Sequence, residues 1–159
     1  MVKVLIIYYS RTGNTEIMAK SVAEGVKEEG GEVILKKVED TKLEDLLEAD
    51  GIIVGSPTYF GLPCAEIKKL FDDSVKYYGK LEGKVGGAFS SSAHVGGGNE
   101  TTIMSIIQMM LIHGMIVQGT TKSDHYGPVS VGRPDEEVKK DCKELGKRVT
   151  RLAKLIKGE

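Results

Sequence analysis

The sequence has no tryptophan, and only two cysteines and three histidines among its 159 residues. The missing tryptophan excludes a site built on a stacked indole. Cys64 and Cys142 stand far apart and form no C-x-x-C pair, so a disulfide-stapled fold is excluded and free thiols in a cytoplasmic setting are expected. His94, His113 and His125 are scattered, none at helical spacing from a cysteine or another histidine, and no metal centre is expected. No apolar run approaches the ~20 residues of a membrane span. The apolar N-terminus lacks a small-residue cleavage site and reads as a core strand rather than a signal peptide. Lysine plus arginine total 22 against 23 acids, a net charge of -1, with no basic stripe interleaved with aromatics, so nucleic acid is not a partner. Neither G-x-x-x-x-G-K-[ST] nor G-x-G-x-x-G occurs, which sets aside P-loop hydrolysis and a separate dinucleotide-binding unit.

What is present is an alternation of strand-like and helix-like segments. Val2–Tyr9 reads as a strand buried on both faces, its residues apolar without alternation after Lys3. Helix signals follow at Thr15–Glu29, stopped by Gly30-Gly31, then a strand at Glu32–Val38 and a short helix at Leu43–Ala49. A third strand is read at Gly51–Gly55, and a helix opening at Pro63 with Ile67, Leu70, Phe71 and Ser74 inward. Val85–Ser90 is the fourth strand, Asn99–His113 a helix, and Met115–Gln118 the fifth strand. Pro134–Lys157 closes the chain as a helix, its inner stripe running from Val138, Cys142 and Leu145 to Val149, Leu152 and Ile156. Gly119–Arg133 is one long irregular stretch. The pattern predicts an α/β protein, a three-layer doubly wound sheet of five parallel strands in order 2-1-3-4-5, with residues 1–159 as one domain.

Ligands of such sheets sit outside the carboxyl ends of the strands. Three loops therefore matter: Ser10–Thr15, Ser56–Leu62 and Ser91–Gly98. In the first, Ser10, Arg11, Thr12, Gly13, Asn14 and Thr15 join a buried strand to a helix start. Free N–H groups, hydroxyls and the helix dipole there make a phosphate cradle. The alternative is a plain cluster of helix caps. In the second, Pro57, Thr58, Tyr59, Phe60 and Gly61 combine a donor-rich turn with two adjacent aromatics. In the third, Ser92, Ala93, His94, Val95, Gly96 and Gly97 expose backbone groups without bulk. A phosphate at one end and a flat polar ring at the other describe a mononucleotide, and flavin mononucleotide (FMN) fits best.

The segments Tyr9–Thr15 and Gly55–Gly61 resemble the phosphate and ring loops of the flavodoxin superfamily. Gly96-Gly97-Gly98-Asn99-Glu100-Thr101, His113-Gly114-Met115 and Tyr126-Gly127 resemble more narrowly its WrbA-type branch of NAD(P)H:quinone oxidoreductases. Where that branch has His-His-Gly-Met, this chain has Ile112-His113-Gly114-Met115. The resemblance implies an FMN flavoprotein that moves two electrons from NAD(P)H to a quinone, the flavin carrying the chemistry with no protein acid or base required. A one-electron carrier between redox proteins is the alternative, although a net charge of -1 gives little steering toward a basic partner.

Several side chains stay open at this level. His94 is a solvated loop residue or a flavin or substrate contact. His113 ends a helix, where a cation is favourable, and a structural role comes first. His125 and Tyr126 lie in the irregular stretch, within reach of the site or idle. Cys64 follows Pro63 at a helix start as an activated or a buried inert thiol. The helix 99–113 is apolar nearly all round. Ile103, Ile106, Ile107, Met110 and Leu111 form the inner stripe, and Met109 and Ile112 face outward. That predicts a homo-oligomer through this helix.

Overall fold

The computed structural model describes residues 1–159. Its strands are β1 (Lys3–Tyr8), β2 (Glu32–Lys37), β3 (Gly51–Tyr59), β4 (Leu62–Pro63), β5 (Val85–Ser92), β6 (Ile116–Val117) and β7 (Val129–Val131). Its helices are α1 (Asn14–Glu28), α2 (Leu43–Glu48), α3 (Ala65–Asp73), α4 (Asn99–Ile112) and α5 (Glu136–Lys157). The sheet runs β2-β1-β3-β5-β6, all parallel. Because β4 is only a hairpin stub on β3, this is the expected five-strand order.

Alternation along the strands sends side chains to two cores. Leu5, Ile7, Ile52, Val54 and Ala88 pack under α2, α3 and α4. Val4, Ile6, Ile53 and Phe89 pack under α1 and α5. The two helices of the second layer meet at glycines. A Cβ on Gly25 would lie 2.0 Å from the Lys143 carbonyl oxygen, and one on Gly146 would lie 2.2 Å from that of Val22. Phe89 likewise needs a bare neighbour. It sits opposite Gly55 in the β3–β5 register, and a Cβ there would be 2.1 Å from its ring.

Four expectations are corrected. First, the fifth strand is not Met115–Gln118 but two short pieces, β6 beside Val85-Gly86 and β7 beside Ser90–Ser92. Residues 118–128 bulge out between them, so Gly119–Arg133 is not irregular throughout. Second, β3 continues to Tyr59, since Ser56 and Pro57 still pair with Ser90 and Ser91. Pro63 belongs to the β4 hairpin, and α3 starts after it, with Cys64 as its N-cap residue. Third, in α4 Leu111 is 56% exposed while Met109 packs against the core, the reverse of their assigned faces; Ile112 is exposed as expected. A helix apolar all round leaves its rotation to its neighbours. Fourth, Ile156 is exposed, as is Leu155 beside it in the last turn of α5.

His113 is buried at the C-terminal end of α4, between the rings of Phe71 and Tyr78 at 6.5 and 6.3 Å. The Ser74 hydroxyl donates to the Phe71 carbonyl at 2.6 Å, so its lone pair faces His113 Nε2 at 2.7 Å. This assigns the proton to Nε2 and leaves Nδ1 as the one buried side-chain polar atom without a partner. Burial pushes the imidazole's pKa below its ordinary 6.5. The ring is neutral, not the helix-end cation, and its role is structural. A depressed folded-state pKa means that the unfolded chain binds the extra proton first. Stability is therefore full above pH 6.5 and falls as the pH drops below it. We expect His113→Gln, which keeps a donor toward Ser74, to flatten the pH dependence of the urea midpoint below pH 6.5. An unchanged slope would rule out His113 as its source.

Candidate functional site

The loops after β1, β3 and β5 meet at the carboxyl edge of the sheet. The Tyr9 amide donates to the Gly55 carbonyl at 3.2 Å, tying the first loop to β3. Ser10 Oγ accepts from the amides of Gly13 and Glu16 at 3.1 and 3.3 Å, leaving its own proton to donate outward. Gly13 is left-handed (φ +103°) with open space beside it, so glycine serves its dihedral rather than its size. The amides of Arg11, Thr12, Asn14 and Thr15 have no intramolecular acceptor. Nothing caps this end of α1 from a side chain at Gly13. Unsatisfied donors at a helix N-terminus, with hydroxyls from Ser10 and Thr12, fit a phosphate monoester. Thr15 offers its N–H, and its buried hydroxyl pairs with that of Ser91 at 2.9 Å.

The aromatic pair of the second loop separates cleanly. Tyr59 packs edge-on against Tyr9 at 6.4 Å, with the Arg11 guanidinium 6.0 Å from its ring centre. Phe60 forms the hairpin tip, left-handed (φ 51°) and fully exposed. Beneath them runs a hydroxyl chain that the sequence reading missed. Ser90 donates to the Ser56 carbonyl at 2.8 Å, so it accepts from Thr58 at 3.0 Å, which in turn accepts from Thr102 at 3.2 Å. Ser56 Oγ accepts the Cys64 amide at 2.9 Å. Such pairs follow strand register, which sequence spacing alone does not reveal; the only available signal was the cluster Ser90-Ser91-Ser92.

In the third loop, the His94 carbonyl accepts from Ser92 Oγ at 3.0 Å and the Gly97 amide at 3.1 Å, and Asn99 buttresses Ser92 at 3.1 Å. Ala93, His94, Val95, Gly96 and Gly97 are exposed. The amides of Phe60, Gly61 and Ala93 to Gly96 lack intramolecular acceptors, an edge of free donors suited to a heteroaromatic ring. The second and third loops touch glycine to glycine: a Cβ on Gly98 would lie 2.5 Å from Gly61 Cα. Thr101 Oγ1 clamps the junction, 2.6 Å from the Gly61 carbonyl.

The remaining candidates fall outside this constellation. His125 Nδ1 turns to the Thr120 carbonyl at 2.8 Å within its own loop. Cys64 is buried and its pKa is pushed up chiefly by that burial, so it is the inert thiol. Tyr126 is exposed. No helix is long and apolar enough to cross a membrane.

Comparison with known proteins agrees with this geometry. The sequence profile of the flavodoxin family matches residues 6–102. A flavodoxin of Aquifex aeolicus is 48% identical over 158 residues, covering 94% of this chain and 85% of that one. An NAD(P)H dehydrogenase (quinone) of Archaeoglobus fulgidus is 34% identical over 190 aligned positions, covering 98% and 100%. That relative therefore has stretches without a counterpart here. The structure of a WrbA-like flavodoxin from Agrobacterium tumefaciens superposes with a TM-score of 0.82 at 28% identity over 98% of this chain and 99% of that one. The phosphate cradle, the ring loops, the strand order and these matches agree that the chain belongs to the flavodoxin family, close to its WrbA-like branch, with FMN as the cofactor the family implies.

Proposed function

We propose that this protein is an FMN-dependent oxidoreductase, residues 1–159 acting as one domain, that passes two electrons from NADH or NADPH to a quinone. The observation that carries the reading is the apolar rim of the site. Phe60 is fully exposed, Val95 88% and Leu62 53%, in a chain whose net charge is only -1. Flat apolar surfaces of this kind suit a nicotinamide or quinone ring, whereas docking a basic redox protein calls for negative charge. Relatives named NAD(P)H dehydrogenase (quinone) support it. The A. aeolicus relative named flavodoxin favours the second reading, a one-electron carrier between redox proteins.

In this reading the bound flavin supplies hydride and electron transfer. The free amides of Arg11, Thr12, Asn14 and Thr15, with the hydroxyls of Ser10 and Thr12, hold the phosphate. Tyr59, braced by Tyr9 and Arg11, presents a ring wall, and the Thr102–Thr58–Ser90 chain keeps the hairpin from shifting. The exposed amides of residues 93–96 supply donors to the ring edge.

Anaerobic addition of NADH or NADPH to the FMN-loaded protein is expected to bleach the flavin's visible absorbance, and benzoquinone to restore it. No bleaching by either nicotinamide would remove the enzyme reading and leave the carrier. Free, buried Cys64 and Cys142 suit the cytoplasmic setting proposed for it.

The proposal includes a homo-oligomer through α4, whose outer face carries Met104, Leu111 and Ile112 exposed together. Sedimentation at micromolar concentration is expected to show an oligomer, and Leu111→Lys to shift it to monomer. A strict monomer in the unsubstituted chain would contradict this.

A further inference from the structure

Off the edge of the sheet lies a cleft of about 890 Å³ between α5 and the segment 118–128 that separates β6 from β7. None of its lining residues belongs to the three loops. Charges of both signs line it: Glu137 and Asp141 of α5, with Asp124 opposite, gather toward one end with Lys140 and Lys122 among them. Arg148 lies two turns further on, about 10 Å from Asp141 at 1.5 Å per helical residue, with Glu144 between them and Arg151 almost a turn beyond. At the Asp141 end Asp124 accepts the Val129 amide at 3.0 Å. Burial pushes the pKa of Asp141 up, and nearby Asp124 and Glu137 add to that, against a hydrogen bond from Ser123.

The two arginines differ. Arg151 is committed to Glu29 at 3.3 Å and Glu144 at 3.7 Å. Arg148 is half-buried and makes one bond, from Nε to the Gln118 carbonyl at 3.3 Å. No carboxylate lies within ion-pair distance of it, and both terminal nitrogens are without partners. A half-buried guanidinium whose fork is open matches phosphate or carboxylate in two-point contact. Thr121 and Ser123 also line the cleft.

We infer that this cleft is a binding site for a small oxyanion, a phosphate or carboxylate held on the free fork of Arg148. Free phosphate and a small organic molecule bearing one phosphate or carboxylate share this chemistry. The inference stands apart from the flavin reading.

The test is an NMR titration of the isotope-labelled chain with inorganic phosphate and, separately, phosphocholine. Saturable shifts are expected at the amides of residues 118–124 and at Arg148 Nε–H, at millimolar concentrations or below. Shifts at Ser10–Thr15 report the other cradle independently. Arg148→Gln is expected to weaken binding in the cleft at least about tenfold, the loss of one charge-assisted contact. Arg148→Lys, which keeps the charge and guards against a folding defect, is expected to fall between. Tighter phosphocholine binding identifies an organic ligand, and equal or tighter phosphate identifies the free anion. Absence of saturable shifts in the cleft, or shifts indifferent to both substitutions, would overturn the site and leave Arg148 as a strut for the 118–128 segment.

Discussion

Gly146→Ala is expected to lower the urea unfolding midpoint by an amount equivalent to about 1–3 kcal/mol, although alanine is the better helix former by about 1 kcal/mol. The reason is contact rather than propensity. The new methyl would stand 2.2 Å from the Val22 carbonyl oxygen, a backbone atom that moves only if α1 moves. Gly25→Ala meets the Lys143 carbonyl at 2.0 Å from the other side and is expected to cost as much. Separating α1 from α5 loosens the core that Met18, Val22, Leu145 and Val149 share. The double substitution is expected to cost less than the sum, because one displacement relieves both clashes. A midpoint unchanged or raised in either single variant would contradict the close helix approach.

Gly98→Ala is expected to weaken FMN binding by about tenfold or more. Two penalties coincide. The residue is left-handed (φ +107°), which costs an L side chain roughly 1–2 kcal/mol, and each 1.4 kcal/mol is a factor of ten. Its Cβ would also press on Gly61 Cα at 2.5 Å, prising the second loop from the third. Gly96→Ala isolates the first penalty, because Gly96 is left-handed (φ +73°) in open space. It is expected to weaken FMN binding less than Gly98→Ala, measured by fluorescence titration of both apoproteins. Equal losses would mean that contact between the loops has no part in the site.

The contrast between these glycines marks how far the sequence was legible. The strand order was readable because β1, β3 and β5 carry short runs of apolar residues and glycine (Val4–Tyr8, Gly51–Gly55 and Val85–Phe89), each followed by a polar segment. Gly13 and Gly96 to Gly98 were recognisable as loop glycines by their neighbours. Gly25 and Gly146 read only as weak points in helices, since the reason for each lies on the partner helix. The outer face of α4 was misread for a related cause: with Leu111 and Met109 equally apolar, only packing decides which is covered. The split fifth strand was hidden because Val129–Val131 is three residues long and lies between Pro128 and Gly132. In the site, the residues of the cradle were legible but the hydroxyl chain was not, since Thr58, Ser90 and Thr102 meet only through strand register and the placement of α4.

The most direct test of the account is a comparison of FMN with riboflavin, which differs by the phosphate alone. Each is titrated into the apoprotein and followed by quenching of flavin fluorescence. The cradle of free amides at Arg11, Thr12, Asn14 and Thr15 predicts that FMN binds at least about a hundredfold more tightly, the worth of two charge-assisted hydrogen bonds of ~1.5 kcal/mol each. Equal affinity for the two, or no saturable binding of FMN, would contradict the assignment of these loops as an FMN site.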